Sequence, residues 1–207
     1  MELHKLKPKK SLNKAFLKVK PNRSEIENFK SNLIQLLDCT NDTETEEFHK
    51  NLVIDFLKKT YYDPNHFVNT KGRNDLVIHN GTQAKSSVGV ILEAKKPTNR
   101  SEMITTEKLN TKAFQELVLY FLRERITHKN GEVRYLVVTN INEWFIYDAN
   151  SFEKAFAQNK AMKIDQAVFG KTSDGETVSI YTLKNANGVV LKLIDYGASI
   201  QSLKVPD

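Results

Sequence analysis

The stretch that most constrains this chain is Val88-Gly89-Val90-Ile91-Leu92-Glu93-Ala94-Lys95, an apolar run that ends in two charges. Such a run reads as a strand buried on both faces, and Pro97 stops it. Residues two apart on a strand share a face, so Glu93 and Lys95 project together and Ala94 points away. Charges at the end of a buried strand are costly unless they are paired or hydrated. The preceding strand is Asp75-Leu76-Val77-Ile78-His79, closed by the turn dipeptide Asn80-Gly81. A hairpin-like pairing of the two would bring Asp75 beside Glu93, and a divalent metal would relieve the repulsion between the carboxylates. On spacing alone, an Asp and a Glu-x-Lys on neighbouring strands more often describe a surface salt bridge.

The rest of the chain alternates helices and strands. Ile26, Phe29, Leu33, Leu36 and Leu37 recur at helical spacing, which predicts a helix over 24–38. Thr45 caps a second helix, with Phe48, Leu52, Val53, Phe56 and Leu57 on one face, ending near Thr60. Residues 67–69 form a short strand. Residues 109–126 make a third helix, with Phe114, Leu117, Val118, Phe121 and Leu122 on its apolar face. Tyr135–Val138 and Trp144–Tyr147 are strands, and 151–158 a short closing helix. This order predicts an α/β layer with a mixed sheet flanked by helices.

The chain has 207 residues and a formal net charge of +6, a modest basic excess that suits an anionic partner without requiring one. Cys39 is the one cysteine, which leaves no intramolecular disulfide and no thiolate metal site. The basic stretch 1–20 lacks the apolar run of a signal peptide, and no stretch approaches the roughly 18 apolar residues of a membrane span. The expectation is a soluble, cytoplasmic protein with no membrane partner.

The text around Asp75, Glu93 and Lys95 carries a family likeness. The relevant segments are Lys10–Phe16, Asp55–Lys58, Asn69–Ile78, Glu93–Pro97, Asn99–Met103 and Glu143–Ile146, in that order. Together they resemble the PD-(D/E)XK nuclease superfamily, and more narrowly the N-terminal nuclease domain of type IIG restriction–modification enzymes. The likeness spans residues 1–158. It implies a restriction-endonuclease-like core that hydrolyses DNA phosphodiesters. It assigns metal binding to Asp75 and Glu93 and catalysis to Lys95. The proline of the superfamily name is absent, since Asn74 precedes Asp75. The chemistry agrees with the residues. Mg²⁺ prefers oxygen ligands, which two carboxylates and the Ala94 carbonyl supply; Mn²⁺ would substitute. Lys95 would orient the attacking water or stabilise the transition state.

Around this core, relatives often add an acid from the preceding helix. Glu46 and Glu47 are the candidates, and Glu46 lies nearer the Val53 and Leu57 side; both equally describe acids favourable to a helix N-terminus. Gln115 and Tyr120 resemble a Gln and Tyr that some relatives carry after the catalytic strand, at a spacing one residue longer than usual. As alternatives, Gln115 flanks the apolar face and Tyr120 packs. His49 falls on the apolar side of its helix and reads as a satisfied structural histidine. Lys71 and Arg73 approach the expected site, and Lys9, Lys10, Lys14, Lys18 and Lys20 form a basic arm; all are candidate DNA phosphate contacts. The arm equally describes a solvated basic segment.

After Lys160 the helical period disappears. The expectation is three strands, Val178–Leu183, Val189–Ile194 and Ala198–Val205, turning at Asp174-Gly175 and Asn187-Gly188. Phe169–Thr172, Tyr181–Asn185, Tyr196–Ile200 and Leu203–Asp207 resemble the beginning of aldose 1-epimerase (galactose mutarotase), a β-sandwich family. The likeness covers 162–207 and reaches none of that family's catalytic residues, so it implies an all-β fragment without epimerase activity. No Gly-rich methyltransferase loop or target-recognition segment is visible. The reading is therefore a Mg²⁺-dependent DNA endonuclease that works with a separate methyltransferase or specificity protein, or with a second copy of itself. The alternatives are an inactive, nuclease-derived DNA-binding module and a non-catalytic epimerase fragment.

Overall fold

A computed structural model describes residues 6–71, 74–157, 162–185, 189–197 and 199–204, with backbone alone at Pro8, Asn74, Asp75, Met162, Lys163 and Asn185. A four-residue helix, α1 (Pro8–Ser11), opens the chain. Helix α2 (Arg23–Cys39) starts at a capping box: the Asn22 side chain accepts from the Glu25 backbone, and Glu25 accepts from Asn22 N–H. Helix α3 (Glu46–Leu57) is capped by Thr45, whose hydroxyl accepts from Phe48 N at 3.1 Å. It runs on into a π-helical turn, Lys58–Tyr62.

Strands β1 (Val68–Lys71), β2 (Asn74–His79) and β3 (Val88–Ala94) follow, then helix α4 (Lys112–Leu122) with a π-helical turn at Arg123–Thr127. Strands β4 (Tyr135–Thr139) and β5 (Trp144–Asp148) and the short helix α5 (Ala149–Phe152) complete this part. The sheet order is β1-β2-β3-β4-β5. It is mixed: β3 and β4 are parallel, joined by the α4 crossover, and the other neighbours are antiparallel.

Alternation along β3 sorts the core into two layers. Ile91 joins Val77, Leu136 and Val138 under α4 and α5, including Leu117, Phe121 and Phe152. Leu92 and Ala94 join Leu76, Ile78 and Val137 under α2 and α3, including Leu36, Val53 and Phe56. Both faces of β3 are covered, which explains its unbroken apolar text. Its one gap, Gly89, lies where a Cβ would collide with the Asn80 side chain. The β2–β3 connection is wider than the Asn80-Gly81 dipeptide suggested: Asn80 N–H donates to Ser87 O across a loop of several residues.

The last part of the chain forms a second sheet, antiparallel, of order β6-β7-β8-β9, where β6 is Met162–Lys171, β7 Thr177–Asn185, β8 Val190–Ile194 and β9 Ser199–Lys204. The three-strand expectation is corrected here: β6 is an additional strand. Its side chains from Asp165 to Phe169 are exposed, so no buried face left a hydrophobic alternation to read. The Asp174-Gly175 turn joins β6 to β7, with Gly175 at φ 86°. Asn187-Gly188 lies outside the described residues. The second sheet is not detached. Ile164 packs on the α4 core layer, and Tyr181, fully buried, shares a 3.0 Å hydrogen bond with Thr127. Among the described residues no helix is long and apolar enough to cross a membrane.

Candidate active site

Strand β3 delivers Glu93 and Lys95 to the α4 side of the sheet, the face that Ile91 marks. Both side chains are buried, Glu93 at 1% and Lys95 at 3% exposure. The ammonium of Lys95 stands 2.7 Å from Glu93 Oε1 and 2.7 Å from Glu116 Oε2 of α4. Glu46 Oε1, from the first turn of α3, is 3.3 Å away, and Glu102 Oε2, from the loop before α4, 3.8 Å. Four carboxylates thus converge on one cation at the end of β3. Burial alone would lower the Lys95 pKa; the facing Glu93 charge and the hydrogen bonds to Glu116 and Glu93 overcome it and hold the pKa well above the usual lysine range. The surrounding carboxylates thus favour the charged ammonium form of Lys95.

The chain reaches this arrangement by three routes. The parallel β3–α4–β4 crossover starts α4 near the C-terminal end of β3, which sets Glu116 over Lys95. The Thr45 cap fixes the start of α3, and Glu46 then reaches Lys95 and accepts from Lys96 N at 3.3 Å. Glu47 turns instead to Lys50. Glu102 is held by Asn99 Nδ2 at 3.1 Å and Lys112 Nζ at 3.3 Å. Burial would raise its pKa, but those two hydrogen bonds, with the Lys112 and Lys95 charges, lower it.

The other expected residues are placed as follows. Ala94 faces the opposite layer from Glu93, as the strand period requires. The register that pairs Leu76 with Leu92 sets the Asp75 backbone, one step on, opposite that of Glu93; the Asp75 side chain lies outside the described residues. Arg73 lies outside them too. Lys71 is not free to wait for a phosphate: its ammonium is 3.0 Å from Glu124 Oε1. Lys10 and Lys14 are exposed. Gln115 does not join the cluster, since its amide bonds Asn110 Oδ1 at 2.9 Å. Tyr120 packs in the α4 core layer. His49 is bonded on one side only: Nδ1 lies 2.7 Å from Thr45 O, while Nε2 has no hydrogen-bond partner among the described residues. The satisfied histidine of the sequence reading is half satisfied.

Glu116 and Glu102 went unread in the sequence. A signal existed for Glu116: it carries the one formal charge in the buried run Ala113–Leu122, and a helix buried nearly all round cannot leave a carboxylate without a partner.

A family model described as a domain of unknown function, DUF7149, matches residues 6–188. The chain belongs to the DUF7149 family. The match runs from α1 through β7, so it takes in the whole first sheet, the first two strands of the second and every residue of the carboxylate cluster. No curated protein and no solved structure matches this DUF7149 chain.

The donor chemistry of the cluster fits a hard divalent cation: carboxylate oxygens gathered around a point of positive charge. Among the described residues, no three His, Cys, Asp or Glu side chains are set to hold a metal, and the Lys95 ammonium is paired with the acids instead.

Proposed function

We propose that this chain is a metal-dependent DNA endonuclease of the restriction type. The observation that supports it best is the convergence of Glu93, Glu116, Glu46 and Glu102 on the buried Lys95 at the end of β3. A purely structural ion pair needs one carboxylate; this lysine faces four, an excess of negative charge suited to a divalent cation. In this reading Asp75, Glu93 and the Ala94 carbonyl hold Mg²⁺, with Glu46 as a further ligand. When bound, the ion would lower the pKa of a coordinated water and screen charge on the phosphate. Lys95, held as an ammonium, then faces the scissile phosphate as its counter-charge and fixes the orientation of the attacking water. Glu116 and Glu46 hold Lys95 in place. Arg73, Lys10 and Lys14 supply phosphate contacts, and Lys71 would do so only by leaving Glu124. A separate specificity protein or a second copy would read the target. The mutarotase-like segment 162–207 takes no part in the chemistry.

A second reading is a folded DNA-binding module without catalysis. It is favoured by the ion-paired state of Lys95, which balances part of the cluster with no metal. Plasmid nicking with Mg²⁺, Mn²⁺ or EDTA separates the two. The nuclease reading expects nicking that EDTA abolishes and that Asp75→Ala and Glu93→Ala lose while remaining folded. Metal-independent DNA binding with no nicking under any condition would leave the binding module.

A further inference from the structure

The imidazole of His49 is 1% exposed and sits on α3 three residues after Glu46, so the two side chains share a helix face. Its Nδ1 is 2.7 Å from Thr45 O, and a carbonyl can only accept. Nδ1 therefore carries the hydrogen, and Nε2 keeps its lone pair. That bond draws the ring back beside the first turn of α3, the turn that carries Glu46. Nε2 is buried with no hydrogen-bond partner among the described residues. A buried acceptor left in this state costs free energy unless something supplies a partner. One ring nitrogen fixed on a backbone carbonyl, with the other bare, is also how proteins orient a metal-binding histidine. Glu46 already belongs to the carboxylate cluster. Glu-x-x-His on one helix is a spacing that puts an oxygen and a nitrogen ligand on a single ion.

We infer that Glu46 and His49 form a mixed oxygen–nitrogen ligand pair at the edge of the Lys95 cluster, which makes the site take a manganese-type divalent cation in preference to Mg²⁺. The inference rests on the reading of the cluster as a divalent-cation site. Mg²⁺ and Mn²⁺ both suit carboxylate oxygens, but Mn²⁺, as a first-row transition ion, gains more from one added imidazole nitrogen than Mg²⁺ does, so a reachable histidine shifts the choice. Glu47, engaged by Lys50, takes no part.

The test is direct Mn²⁺ binding to the full chain, read by electron paramagnetic resonance, with pulsed detection of nitrogen coupling. The wild type should show the coupling of a directly bound imidazole nitrogen. His49→Gln should lose that coupling and bind Mn²⁺ at least about tenfold more weakly, with Mg²⁺ affinity, measured by competition, unchanged. An uncoupled wild-type spectrum, or equal Mn²⁺ affinity in the variant, overturns the inference. The wild-type spectrum decides even if the variant misfolds. Nitrogen-coupled Mn²⁺ without any DNA nicking would refute the nuclease reading alone. Nicking with no nitrogen coupling would refute this inference alone.

Discussion

Lys95 has to be charged for its surroundings to make sense. Its raised pKa follows the linkage sign of a cation gaining partners: the stabilisation is fully present below the unfolded lysine value and is lost only as pH rises through the folded one. With ¹³C-labelled lysine, the Lys95 side-chain resonances should therefore show no titration up to about pH 10, where ordinary lysines begin to move. A midpoint below that pH would mean that burial outweighs the carboxylates. Replacing the cation tests the same balance. Lys95→Met should destabilise the fold by about 3–5 kcal/mol in urea unfolding, because buried acids lose the charge they share. Added Mg²⁺ should recover part of that loss if the cluster binds it. A variant as stable as the wild type would show that the acids do not depend on Lys95. The Glu93–Lys95 side of this site was readable, because strand period alone puts two residues on one face. Glu116 was harder, because its place over Lys95 depends on how far the α4 crossover runs before it packs.

Helix α3 brings both Glu46 and His49 to the site, so its first turn matters more than its length. Thr45 caps that turn through Phe48 N and also receives the His49 ring on its carbonyl. Thr45→Ala should cost about 1 kcal/mol of stability, the usual loss of a cap. It should also weaken divalent-cation binding, because Glu46 and His49 both hang from the same turn. Calorimetric Mn²⁺ affinity equal to wild type would mean the two ligands are positioned from elsewhere. The helix was legible from Thr45 and the Phe48, Val53, Phe56 pattern. Its continuation as a π-helical turn was not, since a widened turn leaves no mark in hydrophobic period. Strand β6 was missed for a different reason: exposed on both faces along much of its length, it carries no alternation from which to read a strand.

At the scale of the whole molecule, the question is what the second sheet does for the first. The composition change after Lys160 marks a real change of architecture, from the mixed five-stranded sheet to an antiparallel four-stranded one. The attachment is narrow but specific. Tyr181 is fully buried and bonded to Thr127, Gln166 Oε1 accepts from the same hydroxyl at 3.1 Å, and Ile164 rests on the α4 layer. The Thr127 contacts lie at the π-helical turn that follows α4. Glu116 lies eleven residues before Thr127, about 16 Å along a helix, so the Thr127 contacts lie well away from the Lys95 cluster. Strand β9 lies at the outer edge, with Ile200 and Leu203 exposed. Hydrogen exchange should therefore fall off across this sheet, with β7 protected nearly as well as β3 and β9 exchanging fastest. Tyr181→Phe should lower stability by about 1 kcal/mol through the lost hydrogen bond and leave metal affinity unchanged. A chain ending at Ala157 should be less stable than the full chain, because it loses the packing of Ile164 on the first core layer and the Tyr181–Thr127 bond, yet bind divalent cation with full-length affinity. If that shortened chain folds but binds the cation several-fold more weakly, the second sheet is part of what shapes the site, and the separation argued from α4 fails.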